Sequence, residues 1–231
     1  MRKPAFIAWA LMVAFSGVVV VGHQKLTSIM LPGKNGDGIT LPVGWRITPA
    51  GRQIPLPGDM AMKIVISSDG KHAFVNTAGW HDHSVNAIEL EGEKIVNTIN
   101  VAKNWTGMAL NPKTSELFVS GGGPLTEQFA APARQSGVSA EIINALKLPV
   151  LRLAFNSGKL ETKTSLAIEG LTDKERFVAG VSYGSDGAIY VVNTQNDTVY
   201  RLSGDDFKTQ VSAKVGYRPY AATLSPNGKV L

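Results

Sequence analysis

From residue 60 onward, apolar residues come in short runs that alternate with polar ones and are broken repeatedly by Gly, Asp, Asn or Pro. AMKIVISSDGKHAFVNT (61–77) reads as a strand, a Ser-Ser-Asp-Gly turn and a second strand. After the loop AGWHDH (78–83), SVNAIEL (84–90) and KIVNTINV (94–101) read as two further strands joined by EGE. Residues 61–101 therefore predict four consecutive antiparallel strands.

The same grammar returns. TGMALNPKTSELFVSGGG opens a second copy, with Asn111-Pro112-Lys113-Thr114 standing where Ser67-Ser68-Asp69-Gly70 stood, an offset of 44. VLRLAF, an NSGK turn and LETKTSLAI supply its last two strands. A third copy runs VAGVSYGSDGAIYVVNT, QND, TVYRLSG and FKTQVSAKV, and YAATLSPNGKVL begins a fourth. DGKHAFVNT (69–77) and DGAIYVVNT (186–194) share one frame of Asp-Gly, apolar positions and Asn-Thr.

A four-stranded meander recurring every 41 to 44 residues cannot bury both faces of its own small sheet, so successive copies must stack on one another. The architecture that does this is an all-β β-propeller, and the Asp-Gly phrase recurs because each blade needs a tight turn between its first and second strands. A β-sandwich also has short strands, but gives no reason for a fixed offset. The expected fold has three complete blades, at about 60–101, 102–168 and 177–215, plus the first hairpin of a fourth at 216–231. Propellers use about four to eight blades, so this incomplete ring is expected to be the amino-terminal part of a longer protein or to be completed otherwise.

Ahead of the propeller (60–231), two segments differ in pattern. Within the lead-in 26–59, residues 31–59 hold five Pro and six Gly around one apolar patch, too broken for a helix and too polar for a core, and are expected to be extended. In residues 1–25, Arg2 and Lys3 precede eighteen uncharged residues, Ala5 to Gly22. That length as a helix spans roughly 27 Å, so it is read as an export signal peptide or a retained membrane anchor. Either reading places the rest of the chain in the periplasm or outside the cell, touching a membrane only through this segment.

Composition adds little that contradicts this picture. At 44% hydrophobic and 18% charged, with 24 Gly and 12 Pro dispersed in clusters, the 231 residues describe a globular chain rich in turns. The net charge of +5 is spread along the chain and partly belongs to the export segment, so no nucleic-acid partner is expected. With no Cys, disulfides, thiolate metal sites and a Cys nucleophile are excluded.

Meander topology sorts the loops. Turns after the first and third strands of each blade share one rim; connections after the second strand and before the first share the other. The second rim collects Trp80, His81 and His83 of the AGWHDH loop, the segments with Trp105, Arg176, Tyr217 and Arg218, and the longest loop, 122–149. In that loop Ser139 can cap a helix AEIINALKL with an apolar face, ended by Pro149. The helix could cap its own propeller's rim or dock another domain or a substrate. Trp80, His81, His83, Trp105, Arg176, Tyr217 and Arg218 are accordingly the candidate binding residues, aromatic and Arg side chains being suited to binding. Trp105 could equally pack between blades.

No catalytic residue, metal site or cofactor is assigned. His81 and His83 could share a metal only with ligands from elsewhere, and the plainer reading is a polar loop in which His83 helps seat the next strand. His72 reads as an ordinary strand residue.

SSDGKHAFVNT, ALNPKTSELFVSGGG and GSDGAIYVVNTQNDTVYRL resemble YVTN-type repeats of the YncE-like group over roughly residues 45–231. LPVGWRITPAGRQIPLPGD, NTAGWHDHSVNAIEL and NWTGMALNPKTSELFVSGGG further resemble exported bacterial proteins that fuse such a propeller to an alkaline-phosphatase-like phosphoesterase. The resemblance implies a metal-dependent hydrolase after Leu231, with the propeller scaffolding or presenting substrate to it. The alternative is a stand-alone binding propeller for a small ligand or a protein, without catalysis.

Overall fold

The computed structural model describes residues 31–36, 38–48, 50–80, 82–101, 103–123, 139–140, 143 and 149–231. The export segment and His81 lie outside the described residues, as does most of the insertion in the second blade. The chain forms two compact units, residues 1–53 and 54–231.

In the first unit, β1 (Gly33–Asn35), β2 (Gly38–Thr40) and β3 (Arg46–Ile47) form a small antiparallel meander. The Gly-rich stretch expected to be extended is thus folded back on itself. Gly36 (φ +60°) and Gly44 (φ +80°) supply the left-handed positions that reverse the chain, and Asn35 Nδ2 donates to Thr40 Oγ1 at 2.9 Å.

The second unit holds three four-stranded antiparallel sheets, each in chain order. Blade 1 is β4 (Met60–Ile66), β5 (His72–Ala78), β6 (His83–Glu89) and β7 (Lys94–Val101). Blade 2 is β8 (Met108–Asn111), β9 (Glu116–Ser120), β10 (Val150–Asn156) and β11 (Lys159–Leu166). Blade 3 is β12 (Val178–Tyr183), β13 (Ile189–Asn193), β14 (Thr198–Ser203) and β15 (Thr209–Lys214). These are the up-and-down blades of a propeller, and among the described residues no closed ring is formed.

Side-chain alternation explains the stacking. In β9, Leu117 and Val119 pack with Phe74, Val85 and Val101 of blade 1, while Phe118 between them packs with Ile189, Val191 and Leu202 of blade 3. β9 is therefore buried along its whole length. Burying a side chain the size of Phe118 contributes about 2–3 kcal/mol. β4 is more open: Ile64 is 58% exposed.

Near the innermost strands the blades come closest. A Cβ added at Gly107 would lie 2.5 Å from the Val181 amide nitrogen, and one at Gly180 would lie 2.8 Å from the Tyr220 carbonyl oxygen. Each glycine stands four residues before the first turn of its blade, so the narrow end of blades 2 and 3 is made of backbone against backbone.

The first turns share one hydrogen-bond scheme. Asp69 accepts from the Ser67 hydroxyl (2.6 Å) and the Lys71 amide (3.0 Å); Asp186 accepts from the Ala188 amide (3.1 Å). Gly70 and Gly187 then take positive φ, +69° and +79°. In 216–231 the turn of the expected fourth hairpin is present: Asn227 accepts from Ser225 Oγ and the Lys229 amide, and Gly228 has φ +68°. Across it the Ser225 amide donates to the Val230 carbonyl at 2.7 Å, and residues 216–231 form no strand. The segment before the turn packs on blade 3 instead, with Ala222 and Leu224 against Tyr190, Val192 and Val199.

Of the predicted helix in the insertion, Ala140 and Ile143 are described. Both are helical, the Ile143 amide donates to the Ser139 carbonyl at 3.0 Å, and Ile143 is buried in the core between blades 1 and 2.

Candidate binding site at the approach rim

The segment leading into each innermost strand is fastened by polar residues at the end of the second strand. In blade 1, Asn76 Nδ2 donates to Asn104 Oδ1 (3.2 Å) and to the Trp105 carbonyl (2.6 Å), and Asn104 Nδ2 donates to the Thr77 carbonyl (3.0 Å). In blade 2, Ser120 accepts the Trp105 amide on its carbonyl (3.0 Å) and the Gly107 amide on its hydroxyl (2.9 Å). In blade 3, Asn193 accepts the Phe177 amide (2.6 Å) and donates to the Glu175 carbonyl (2.7 Å), while the Thr194 hydroxyl donates to the Pro219 carbonyl (2.7 Å). The Asn-Thr half of the repeated phrase thus clamps the backbone that carries Trp105, Phe177 and Tyr220.

These three aromatics meet. Trp105 and Phe177 pack edge to face, centroids 5.4 Å apart at 75°, and the indole N–H donates to the Tyr220 hydroxyl. Below them runs Gly122-Gly123. A Cβ at Gly123 would touch Phe177 Cδ2 (3.4 Å), the Arg176 carbonyl oxygen (3.6 Å) and Lys103 Nζ (3.7 Å); one at Gly122 would touch Trp105 Cβ and Lys103 Cε, each at 3.7 Å. The two glycines hold open a gap of about one carbon, a shallow notch beside an aromatic edge and a cation. The Arg176 guanidinium, 5% exposed, reaches Asp173 Oδ1 at 3.1 Å. Burial lowers the proton affinity of both cations; nearby Arg176 lowers that of Lys103 further, while Asp173 partly restores that of Arg176.

Of the residues singled out in the sequence, the structure brings Trp105 and Arg176 together here. His83 is buried behind them: its Nδ1 accepts the Asn104 amide at 3.0 Å and its Nε2–H faces the Gly79 carbonyl at 3.2 Å. Burial lowers its pKa, outweighing the Gly79 bond, and Lys103 adds to the effect, so the ring is neutral near pH 7. Trp80 is 88% exposed, with its amide on Asp59 Oδ2 at 2.6 Å. Tyr217 and Arg218 form their own pair, the guanidinium 5.4 Å from the ring, tied to the blade 3 loop by the Arg218 amide on Asp197 Oδ1 (2.7 Å). No contact joins Trp80, Tyr217 or Arg218 to the notch among the described residues.

Sequence reasoning missed Phe177, Tyr220 and the Gly122-Gly123 floor. One signal was available: each aromatic closely precedes an expected innermost strand, where the repeats set Trp105, Phe177 and Tyr220 on one rim.

Elsewhere, Glu116 is a buried carboxylate between blades 2 and 3. Burial opposes its ionisation, but hydrogen bonds from Lys163 (2.8 Å), Arg152 (2.9 and 3.0 Å) and Thr114 (3.1 Å) outweigh this and lower its pKa. Beside it, a cleft of about 630 Å³ opens between β11 and β15, lined by Arg152, Thr164, Glu169, Phe207 and Gln210. Gln210 spans it with two hydrogen bonds to the Glu169 backbone, at 2.8 and 3.1 Å. Among the described residues no group of three or more His, Cys, Asp or Glu converges as a metal centre, and no helix is long and apolar enough to cross a membrane.

Solved structures share the fold at low identity. A hydrazine synthase from Kuenenia stuttgartiensis superposes with TM-score 0.50 at 16% identity, over 78% of this chain and 43% of that one. A gluconolactonase from Xanthomonas campestris gives 0.50 at 13%, over 83% and 59%, and a protein from Lactobacillus plantarum gives 0.51 at 11%, over 73% and 46%. The chain spans between 43% and 59% of the length of these structures. The fold is that of a β-propeller. No protein-family model matches the chain, and no match was found among curated proteins.

Proposed function

We propose that the chain is an exported β-propeller binding domain whose approach rim receives its ligand or partner. The observation that carries this reading is the meeting of Trp105, Phe177 and Tyr220 over a glycine floor, beside Lys103 and Arg176. Aromatic and Arg side chains on a rigid scaffold supply much contact energy for little lost conformational freedom. Export rests on Arg2, Lys3 and the apolar run Ala5–Gly22. A gluconolactonase is among the structural neighbours, but folds of this kind host unrelated functions, and binding needs fewer convergent groups than hydrolysis.

The resemblance to propeller–phosphoesterase fusions adds the finer reading, in which the rim presents substrate to a hydrolase encoded after Leu231. Coding sequence past that residue tests it: an Asp/His-rich α/β domain following further repeats supports the fusion, and a stop after the last repeat supports a stand-alone binder.

The rim itself is tested by a chemical-shift map of the isotope-labelled protein under a mixed set of small aromatic and polar fragments. Binders are expected to perturb the Trp105 indole and the Phe177 and Tyr220 amides. Perturbations confined to the cleft at Gln210 or to the turns at Asp69 and Asp186 would overturn the reading.

A further inference from the structure

We infer that the cleft between β11 and β15 is a second binding site, one that takes a neutral sugar. It opens between blades 2 and 3 with a volume of about 630 Å³, and Leu166, Leu202 and Phe207 supply its apolar lining. That volume suits a mono- or disaccharide. Gln210 pins the two walls together through both backbone groups of Glu169, at 2.8 and 3.1 Å, so the opening is formed before a ligand arrives. On the blade 3 side Asp206 and Phe207 both take positive φ, +55° and +58°, a conformation that non-glycine residues keep only where their surroundings impose it. Here the Phe207 ring imposes it, packed edge to face on Phe118 at 5.0 Å and 5.4 Å from the Arg152 guanidinium carbon. The strained pair sets the Asp206 carboxylate, 70% exposed, opposite Arg152.

The ligand class follows from the bonds these groups make. Arg152 gives Nη2 to both oxygens of Glu116, at 2.9 and 3.0 Å, while its Nη1 stands 3.7 Å from Asp206 Oδ1, too far for a hydrogen bond. One oxygen that accepts from Nη1 and donates to the carboxylate spans that separation, and among organic groups a hydroxyl does both with a single atom. Charge removes the alternatives. Arg152 and Lys208 balance Glu169 and Asp206 in the lining, so a ligand of either net sign meets a like charge. A purely apolar ligand would cover Leu166 and Leu202 but would take water from Arg152 Nη1 and Asp206 without replacing it. A sugar offers a carbon face to the leucines and several hydroxyls to the polar groups, with Thr164 and Ser165 in the same lining to meet others. The site uses no residue of the approach rim.

Titration of the isotope-labelled full chain with glucose, galactose, mannose, maltose and cellobiose, followed by amide shifts, tests this. At least one of these sugars is expected to perturb the Leu166, Phe207 and Gln210 amides and leave the Trp105 indole unmoved, which keeps the result separate from the aromatic-fragment map of the rim. The amino sugar and the uronic acid matching that sugar, and cyclohexanol, with a six-membered carbon body and one hydroxyl, are expected to bind about tenfold more weakly. Asp206→Ala should weaken the sugar about tenfold, and Asp206→Asn, which keeps an acceptor oxygen and tolerates positive φ, should retain most of the affinity. Thr164→Trp, at an exposed strand position, fills the cleft and should abolish binding. If Asp206→Ala loses the native shift pattern, Thr164→Trp and the analogue series decide. Perturbation of the cleft by none of the sugars overturns the inference. So does cyclohexanol or either charged analogue binding as tightly as the neutral sugar, full affinity in a folded Asp206→Ala, or binding that survives Thr164→Trp.

Discussion

The two rims of this propeller are built from the same repeats and look nothing alike. On the turn rim, Asp69, Asp186 and Asn227 each accept an amide from two residues on, ahead of or beside a left-handed glycine. On the approach rim the corresponding segments carry Asp59, then Lys103 to Trp105, then Arg176 and Phe177, then Tyr220. What recurs there is the clamp beneath, Asn76, Ser120 and Asn193, and an aromatic at Trp105, Phe177 and Tyr220, while the charges around them differ. Repetition marks what the wedge needs in order to stack. Individual chemistry appears where a backbone held by that framework faces outward.

Breaking the framework under both rims should have the largest effect. Gly107→Val forces a side chain into the Val181 backbone and is expected to cost about 3 kcal/mol, read as a lower midpoint in urea unfolding. An unchanged midpoint would mean the inner strands do not meet as described. Next comes the clamp: Asn193→Ala strips the part-buried Phe177 amide and Glu175 carbonyl of their partner and should cost about 1 kcal/mol, with exchange of the Phe177 amide accelerating. If only global stability falls and that amide stays protected, the clamp does not position the rim.

A smaller effect separates the rims by pH. His83 has a folded pKa below its ordinary value of 6.5, so the unfolded chain takes up its proton first as pH falls. Its contribution is therefore complete above pH 6.5 and declines as pH drops from there toward the lowered value. Unfolding measured at successive pH values should show this decline, and His83→Gln should remove it. Smallest of all is Asn227→Ala on the exposed turn, expected to change stability by about 0.5 kcal/mol or less. A loss as large as that of Asn193→Ala would erase the distinction between the two rims.

The blades were legible because their signals are local. Asp69-Gly70 and Asp186-Gly187 specify a turn from a few adjacent residues, and strand alternation on either side sets which face packs. Trp105 and Arg176 were legible as residue types on the rim where the structure places them. Phe177 and Tyr220 were not, because their partners lie in other blades: Trp105 and Tyr220 are 115 residues apart. Gly107 and Gly180 escaped for the same reason, since close approach of two backbones leaves no mark within either strand. Residues 33–47 were read as extended because strands this short, two or three residues each, carry too few side chains to show alternation.

The most direct comparison is the affinity of the fragments that perturb the Trp105 indole, measured in Trp105→Ala and in Asp186→Ala, each checked for native circular dichroism. The expected result is loss of binding in the first and unchanged affinity in the second. Equal losses, or binding that survives without Trp105, would contradict the assignment of recognition to the approach rim.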